Sequence, residues 1–525
     1  MDPLAPTSRI RKLAWPTVAA LAGLAAAAPL WCSHFLPFQD APQHVAAIGV
    51  LANYGSAAAE TRRWLEVDFS HAQYIGIYIP AALLARVVGP DVAVRVLLSL
   101  VALLLPAVSW MLLGSFERDR RLAVFAPALF HTAPLYIGVY HFVAAIPVAL
   151  AAIALVEREL RAPRVLRAVA LGVLSLFLFY LHVSALVIVL CAAGLLAVTA
   201  GEHRDRMARA LAPLTPAVAA LVVFAARPPP ARPLGAITLA SSARFAWQSP
   251  LEQLHDLGRF ANVIRGRTDE VFAFLLVCLW IALVRQTGRP RIERWWRLPL
   301  LAASLFAAYI VAPMHLGYIA YIHLRAVPFL VALTIDSAIV ARTRRTTALL
   351  AAVVGLQLAY SANLVRVYRA FDAEASPAHL EQVLRVAKPG RRLLALMLHR
   401  KSKVVNFEPY LHFGLYYELE RGGRARFNFA ELPWMPLRFR RDVPAQPLPL
   451  YWEFYPGQFD WTHARGDADY VLVRTPDPDT DLEVEGDGGD NPEPGPEFAA
   501  GWTLSARAGR WELFELESRP PGPSG

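Results

Sequence analysis

Lysine is nearly absent. Among 525 residues only Lys12, Lys388, Lys401 and Lys403 are lysines, so the formal charge of +10 rests almost wholly on arginine. Charged residues of both signs reach only 18%, against about a quarter in a soluble protein. Arginine usage of this kind matches a GC-rich bacterial genome. It does not make a nucleic-acid surface, which needs its basic residues gathered on one soluble face. Cysteine is scarce too: Cys32, Cys191 and Cys278 lie in or beside apolar runs, an odd set that excludes a disulfide framework and a zinc site built on thiolates. Neither a Walker loop nor a dinucleotide glycine pattern occurs, so no cofactor is indicated. What the chain has in abundance is apolar residue, 56% of the total. Much of it falls in runs of about 17–20 residues, the length that crosses a bilayer.

The arginines orient those runs. Arg9, Arg11 and Lys12 precede the run Leu13–Trp31, and basic residues stay cytoplasmic; a retained first helix fits better than a cleaved signal. Further clusters stand at 118–121, 158–167, 204–209, 285–297 and 342–345. Placing all of them inside requires two crossings in 122–156, turning near Tyr140-His141, and two in 168–200, turning near Leu181-His182. One crossing follows in 211–226 and one in 270–284; 298–341 crosses twice and 347–365 once. The expectation is an α-helical polytopic membrane protein of about eleven transmembrane helices. It sits in a bacterial inner membrane, N-terminus cytoplasmic and C-terminus periplasmic. The transmembrane part is 1–365, and the long segments 32–90, 227–269 and 366–525 are outside.

In the first outer loop, Tyr74–Val88 carries Pro80 and Arg86 and is short for a span; an interfacial amphipathic helix is expected, stopped by Gly89-Pro90, with Asp91 capping the next helix. The C-terminal segment reads as a small α/β domain. Helices are expected at Pro377–Val386 and Leu411–Arg421, and strands at Arg392–Leu398, Tyr470–Arg474 and Arg510–Glu517. The acidic, Pro/Gly-rich 475–497 reads as a disordered insertion.

Several residues here could carry chemistry. Asp40 and His44, in "FQDAPQHVA", share a face if 41–48 is helical. Asp40 reads either as a turn residue or as a general base for a sugar hydroxyl, held by Pro37 and Pro42. Arg325 reads either as an interfacial anchor beside Tyr318 and Tyr321 or as a clamp for a lipid phosphate; Arg62 and Arg63 are weaker candidates for that role. His34, His44, His71, His141, His182, His315 and His323 all fall at the outer side of this threading, and His71, His141, His182 and His323 are candidates to line a polar cavity. A divalent metal on Asp40 and histidines is compatible with this set, though no spacing specifies one. Asp336, inside a span, is expected to be neutralised near Ser337 and Arg342.

One helix, a large outer loop with an early acid, and an interfacial helix closed by "VVGPDVAVRVLLSL" together resemble the C-type membrane glycosyltransferases, the GT-C fold. The resemblance implies a polyprenyl-phosphate-sugar donor and a site between the first outer loop and the outer helix ends. It also implies a soluble domain after the last span. The family usually shows two adjacent acids in this loop, whereas Asp40 stands between Gln39 and Ala41. The rival readings are a flippase or transporter, and a non-enzymatic envelope-assembly protein. A flippase would show several intramembrane charges or matched broken helices.

Topology is directly testable. Reporter fusions after residues 200, 295 and 345 are expected to read as cytoplasmic, and fusions after 60, 245 and 400 as periplasmic. A single reversal in the middle of the series overturns the eleven-helix arrangement.

Overall fold

The computed structural model describes residues 5–56, 60–200, 204–227, 245–286, 294–316, 321–432, 434–440, 451–454, 459–475 and 501–517. The chain forms two compact units. One is Met1–Cys32, Arg95–Pro228 and Ser241–Tyr368; the other is Ser33–Val94, Pro229–Ala240 and Arg369–Gly525.

The first unit is helical. Stretches long and apolar enough to cross a membrane include Ala14–Trp31, Tyr140–Arg161 and Asp205–Ala226 within it, and Pro90–Ser115 and Arg344–Val386, whose outer ends belong to the second unit. Helices satisfy every backbone group internally, which is what hydrocarbon demands. Val165–Leu181 and Val183–Thr199 both pack on Tyr140–Arg161, and the expected turn falls on His182, whose extended backbone caps both helices. Leu113, Leu122, Phe125 and Leu350 form a buried cluster, with Trp15 and Trp280 packed against it.

The basic clusters at the helix ends are matched by acids. Arg297 lies 2.6 Å from Glu157, both almost wholly buried; Arg161 lies 2.8 Å from the same carboxylate, and Arg121 pairs with Asp119 at 2.7 Å. Burying a charge is tolerable only with such a partner.

Three local expectations need correction. Residues 122–139 do not form one spanning helix. A 3-10 stretch, Arg120–Leu129, is followed by the short helix Ala133–Ile137, because Pro127, Pro134 and left-handed Gly138 interrupt the ladder. Asp336 does not sit with Arg342: Ser109 Oγ lies 3.3 Å from both its carboxylate oxygens, while Arg342 reaches Asp119 at 3.7 Å. Asp91 stands in the first turn of Pro90–Ser115, not at its cap.

The second unit contains a five-stranded sheet in the spatial order Arg424–Ala425, Arg392–Met397, Tyr470–Arg474, Trp511–Leu516, Trp502–Ala508. The first three strands are parallel and the last two antiparallel. Leu394, Leu396, Val471, Val473, Trp452 and Trp502 form a core. The helix Pro377–Val386 and the strands at 392 and 470 lie where the sequence placed them. The expected helix Leu411–Arg421 begins only at Leu415. The expected acidic insertion lies outside the described residues apart from Thr475. From the first outer loop, helix Ala41–Asn53 packs on Ile75–Val88 and on Leu415–Arg421. Helix Ile75–Val88 ends at Gly89, with φ 85°, as its sequence requires. Strand Leu65–Val67 pairs antiparallel with Leu437–Phe439.

At Gly423 the chain passes the sheet too closely for a side chain: a Cβ there would stand 2.1 Å from the Tyr417 ring and 2.4 Å from the Arg391 carbonyl oxygen. Gly423→Ala is therefore expected to cost about 1–3 kcal/mol, read as a lower thermal midpoint of the purified protein; an unchanged midpoint refutes this packing.

Candidate active site

The second unit collects charge around the start of helix Ala41–Asn53. Pro42 in the first turn fixes the helix start. Asp40 is the N-cap residue, yet its side chain makes no capping hydrogen bond. A free Asp at this position ordinarily accepts from the N2 or N3 amide; here the carboxylate turns instead to His412, Oδ1 lying 3.3 Å from Nε2. The other ring nitrogen, Nδ1, lies 2.6 Å from Glu453 Oε1. His412 is only 6% exposed. Burial works against a charged ring, but the Glu453 and Asp40 carboxylates outweigh it and push His412 up to about 10. At neutral pH it is an imidazolium between two carboxyl groups. Burial moves Glu453 the other way, raising it, while His412 draws it back down.

Backbone contacts fix the register. Gln43 Nε2 donates to the Phe427 carbonyl at 2.6 Å, and Phe429 N–H donates to Gln43 Oε1 at 3.0 Å. Gln43 Nε2 also stands 3.1 Å from His412 Nδ1. With the ring protonated that is an approach of two donors, and the Nδ1 proton belongs to Glu453. His44, one turn past Asp40, is 4% exposed and shares a hydrogen bond with the Tyr78 hydroxyl at 2.8 Å. Burial and then the Asp40 charge push Tyr78 well above its ordinary range. Phe429 meets both His44 and His412 edge to face, with centroids 5.7 and 5.8 Å apart. Asp40, His412 and Glu453 thus form one chain of paired groups, and the His44–Tyr78 pair lies within electrostatic reach of Asp40.

The remaining candidates distribute as follows. Arg62 is exposed and donates to the Ser56 carbonyl at 2.7 Å; Arg63 stacks on Trp64 at 5.2 Å, and Arg424 also approaches that ring, at 5.5 Å. His71 is buried in the second unit. His141, His182, His323 and Arg325 belong to the first unit. There His182 bonds Ser184 at 2.7 Å, meets Phe142 edge to face at 5.2 Å, and lies within electrostatic reach of Arg325. His323, fully buried, stands 3.5 Å from Asp256 and 5.5 Å from the Tyr309 ring centroid. His141 is buried in the first turn of Tyr140–Arg161. Among the described residues no group of three or more His, Cys, Asp or Glu is arranged to hold a metal ion.

The first unit also holds a cavity of about 640 Å³. Its wall is apolar, with Phe260, Trp280, Phe306 and Leu330 prominent, and His131 and Thr132 supply polar atoms.

His412 and Glu453 were missed in the sequence. The only signal was a single histidine and a single glutamate inside two aromatic stretches, "YLHFGLYY" and "YWEFY".

No family profile matches the chain, and no curated protein matches it in sequence. Among solved structures it is similar to ArnT from Cupriavidus metallidurans bound to undecaprenyl phosphate. The TM-score is 0.59 at 11% identity, over 97% of this chain and 98% of that one. The likeness extends over the membrane helices and the C-terminal sheet, and the fold is the GT-C fold.

The raised His412 pKa has a pH signature. A group titrating higher in the folded than in the unfolded state stabilises fully below its unfolded value, about 6.5, and loses that contribution as pH climbs through its folded value. The thermal midpoint is expected to fall between pH 7 and pH 10.5. His412→Asn is expected to flatten the part above pH 9, where Glu418 and Glu431, raised by burial to about 8 and about 7, have largely titrated. Equal slopes in both proteins refute the charged ring.

Proposed function

We propose that this protein is a membrane glycosyltransferase. It moves a hexose or pentose from a polyprenyl-phosphate donor to an acceptor at the periplasmic face of a bacterial inner membrane. The observation that carries the reading is the Asp40 carboxylate, withheld from helix capping and set against the buried His412 ring. The fold supports it, as does the apolar cavity, whose volume and lining suit an isoprenoid chain.

In this reading Asp40 takes the proton of an acceptor hydroxyl as that oxygen attacks the anomeric carbon. The bond from that carbon to the phosphate oxygen breaks, and polyprenyl phosphate leaves with the bonding pair. Proton transfer of this kind contributes about 100- to 10,000-fold. His44, tied to Tyr78, shapes the pocket beside the base. Arg325 is assigned to the lipid phosphate, because a guanidinium offers two parallel donors to phosphate oxygens. His182 lies within its field.

The test uses the purified full chain in lipid nanodiscs, with undecaprenyl phosphate as the binding probe and a panel of polyprenyl-phosphate hexoses and pentoses as donors. Asp40→Asn is expected to bind undecaprenyl phosphate as the wild type does and to lose transfer by at least 100-fold. Arg325→Ala is expected to weaken binding about tenfold or more. An Asp40→Asn protein with full transfer refutes the base, and a wild type that does not bind the lipid refutes the function.

A further inference from the structure

We propose that Glu453 and His412, both supplied by the C-terminal segment, are positioning residues that hold Asp40 for catalysis. The inference rests on the reading of Asp40 as the base. Three geometric facts carry it. The Asp40 side chain makes no capping bond although its residue stands at the N-cap. Its Oδ1 faces the His412 Nε2 at 3.3 Å. The opposite nitrogen of that ring is held by Glu453 at 2.6 Å.

The ring is enclosed on all the elements packed around it. Asp40 and Gln43 face it from helix Ala41–Asn53 and its cap, Glu453 from Tyr451–Phe454, and Phe429 from its own short 3-10 turn. Tyr78 faces Asp40 from Ile75–Val88, and the Glu408 charge is felt at Glu453. Glu453 itself is fixed by its neighbour Trp452, buried in the sheet core. The ring can therefore neither rotate nor withdraw without leaving a carboxylate buried and unpaired, which is strongly unfavourable.

The consequence is directional. An N–H from His412 to Oδ1 fixes the carboxylate plane and leaves Oδ2 as the oxygen that takes the acceptor proton. Glu453 ensures that the His412 nitrogen facing Asp40 carries a proton. Once the ring loses that proton, its lone pair faces Oδ1 and Asp40 is released. Catalysis is thus expected to fall on the alkaline side as His412 titrates, and Glu453 sets where that occurs.

The test compares Glu453→Gln, Glu453→Asp, His412→Asn and Asp40→Asn in full-length protein in nanodiscs. Transfer is followed from polyprenyl-phosphate hexoses and pentoses to membrane extract, and histidine titration by ¹⁵N NMR, with the His412 signal identified by its loss in His412→Asn. Glu453→Gln is expected to lower kcat about tenfold, less than removal of the base, with donor KM within about twofold. The alkaline limb of its pH profile is expected at least one unit lower, and Glu453→Asp is expected to restore part of both. An Asp40→Asn protein that is inactive beside a Glu453→Gln protein with wild-type kcat and profile overturns the proposal. If Asp40→Asn keeps full transfer, the base reading has failed, and the NMR arm decides the clamp separately. A His412 still protonated above pH 8 in wild type but not in Glu453→Gln sustains it; an identical titration in both overturns it.

Discussion

Asp467 holds the candidate site together from a distance. It is 1% exposed and accepts from Arg424 at 2.8 Å and from Arg426 at 3.2 Å, so a two-residue edge strand is anchored by charge where its own ladder is too short to hold it. From there the chain runs directly to Phe427 and Phe429, whose backbone groups grip Gln43. Gln43 lies in the first turn of the helix whose cap is Asp40. A buried ion pair of this kind adds little net stability but is costly to break, about 3–5 kcal/mol when one partner is removed. Its contribution here is register, shared with the Asn428 side chain, which donates to Glu418 at 2.8 Å.

Much of the fold was legible in the sequence because lipid imposes a simple rule. A run of apolar residues long enough to cross must be helical, and its ends are marked by arginine. The His182 turn and the Gly89 stop followed from that rule and from backbone chemistry. Residues 122–139 were not legible, because a continuous apolar run conceals the difference between an α-helix and a 3-10 stretch until its prolines are weighed. The strand Trp502–Ala508 escaped notice although its residues alternate apolar and polar; only its two ends are buried, and a bulge at Leu504/Ala506 shifts its pairing.

The site was half legible. Asp40 announced itself as a lone acid between prolines, with His44 one helical turn on. Their partners could not be found that way, since 369 residues separate Gln43 from His412 and no local spacing records a contact across such a distance. His412 and Glu453 resemble ordinary members of aromatic stretches until folding puts them against Asp40. The Arg62 and Arg63 candidates show the converse. Their charge was visible, but in the structure one holds a loop carbonyl and the other lies on Trp64.

The contacts of helix Ala41–Asn53 also set a timetable for biosynthesis. Almost all of its residues are buried, partly beneath Leu415 and Ala425. The segments that cover it emerge from the ribosome hundreds of residues later. Through most of translation this helix must wait with its apolar surface uncovered, and contacts so remote in sequence are slow to form. A chain halted before residue 453 lacks the carboxylate that holds His412 Nδ1. Only a chain completed beyond that point can close the Asp40–His412–Glu453 chain, so this polar group is among the last contacts that synthesis makes available.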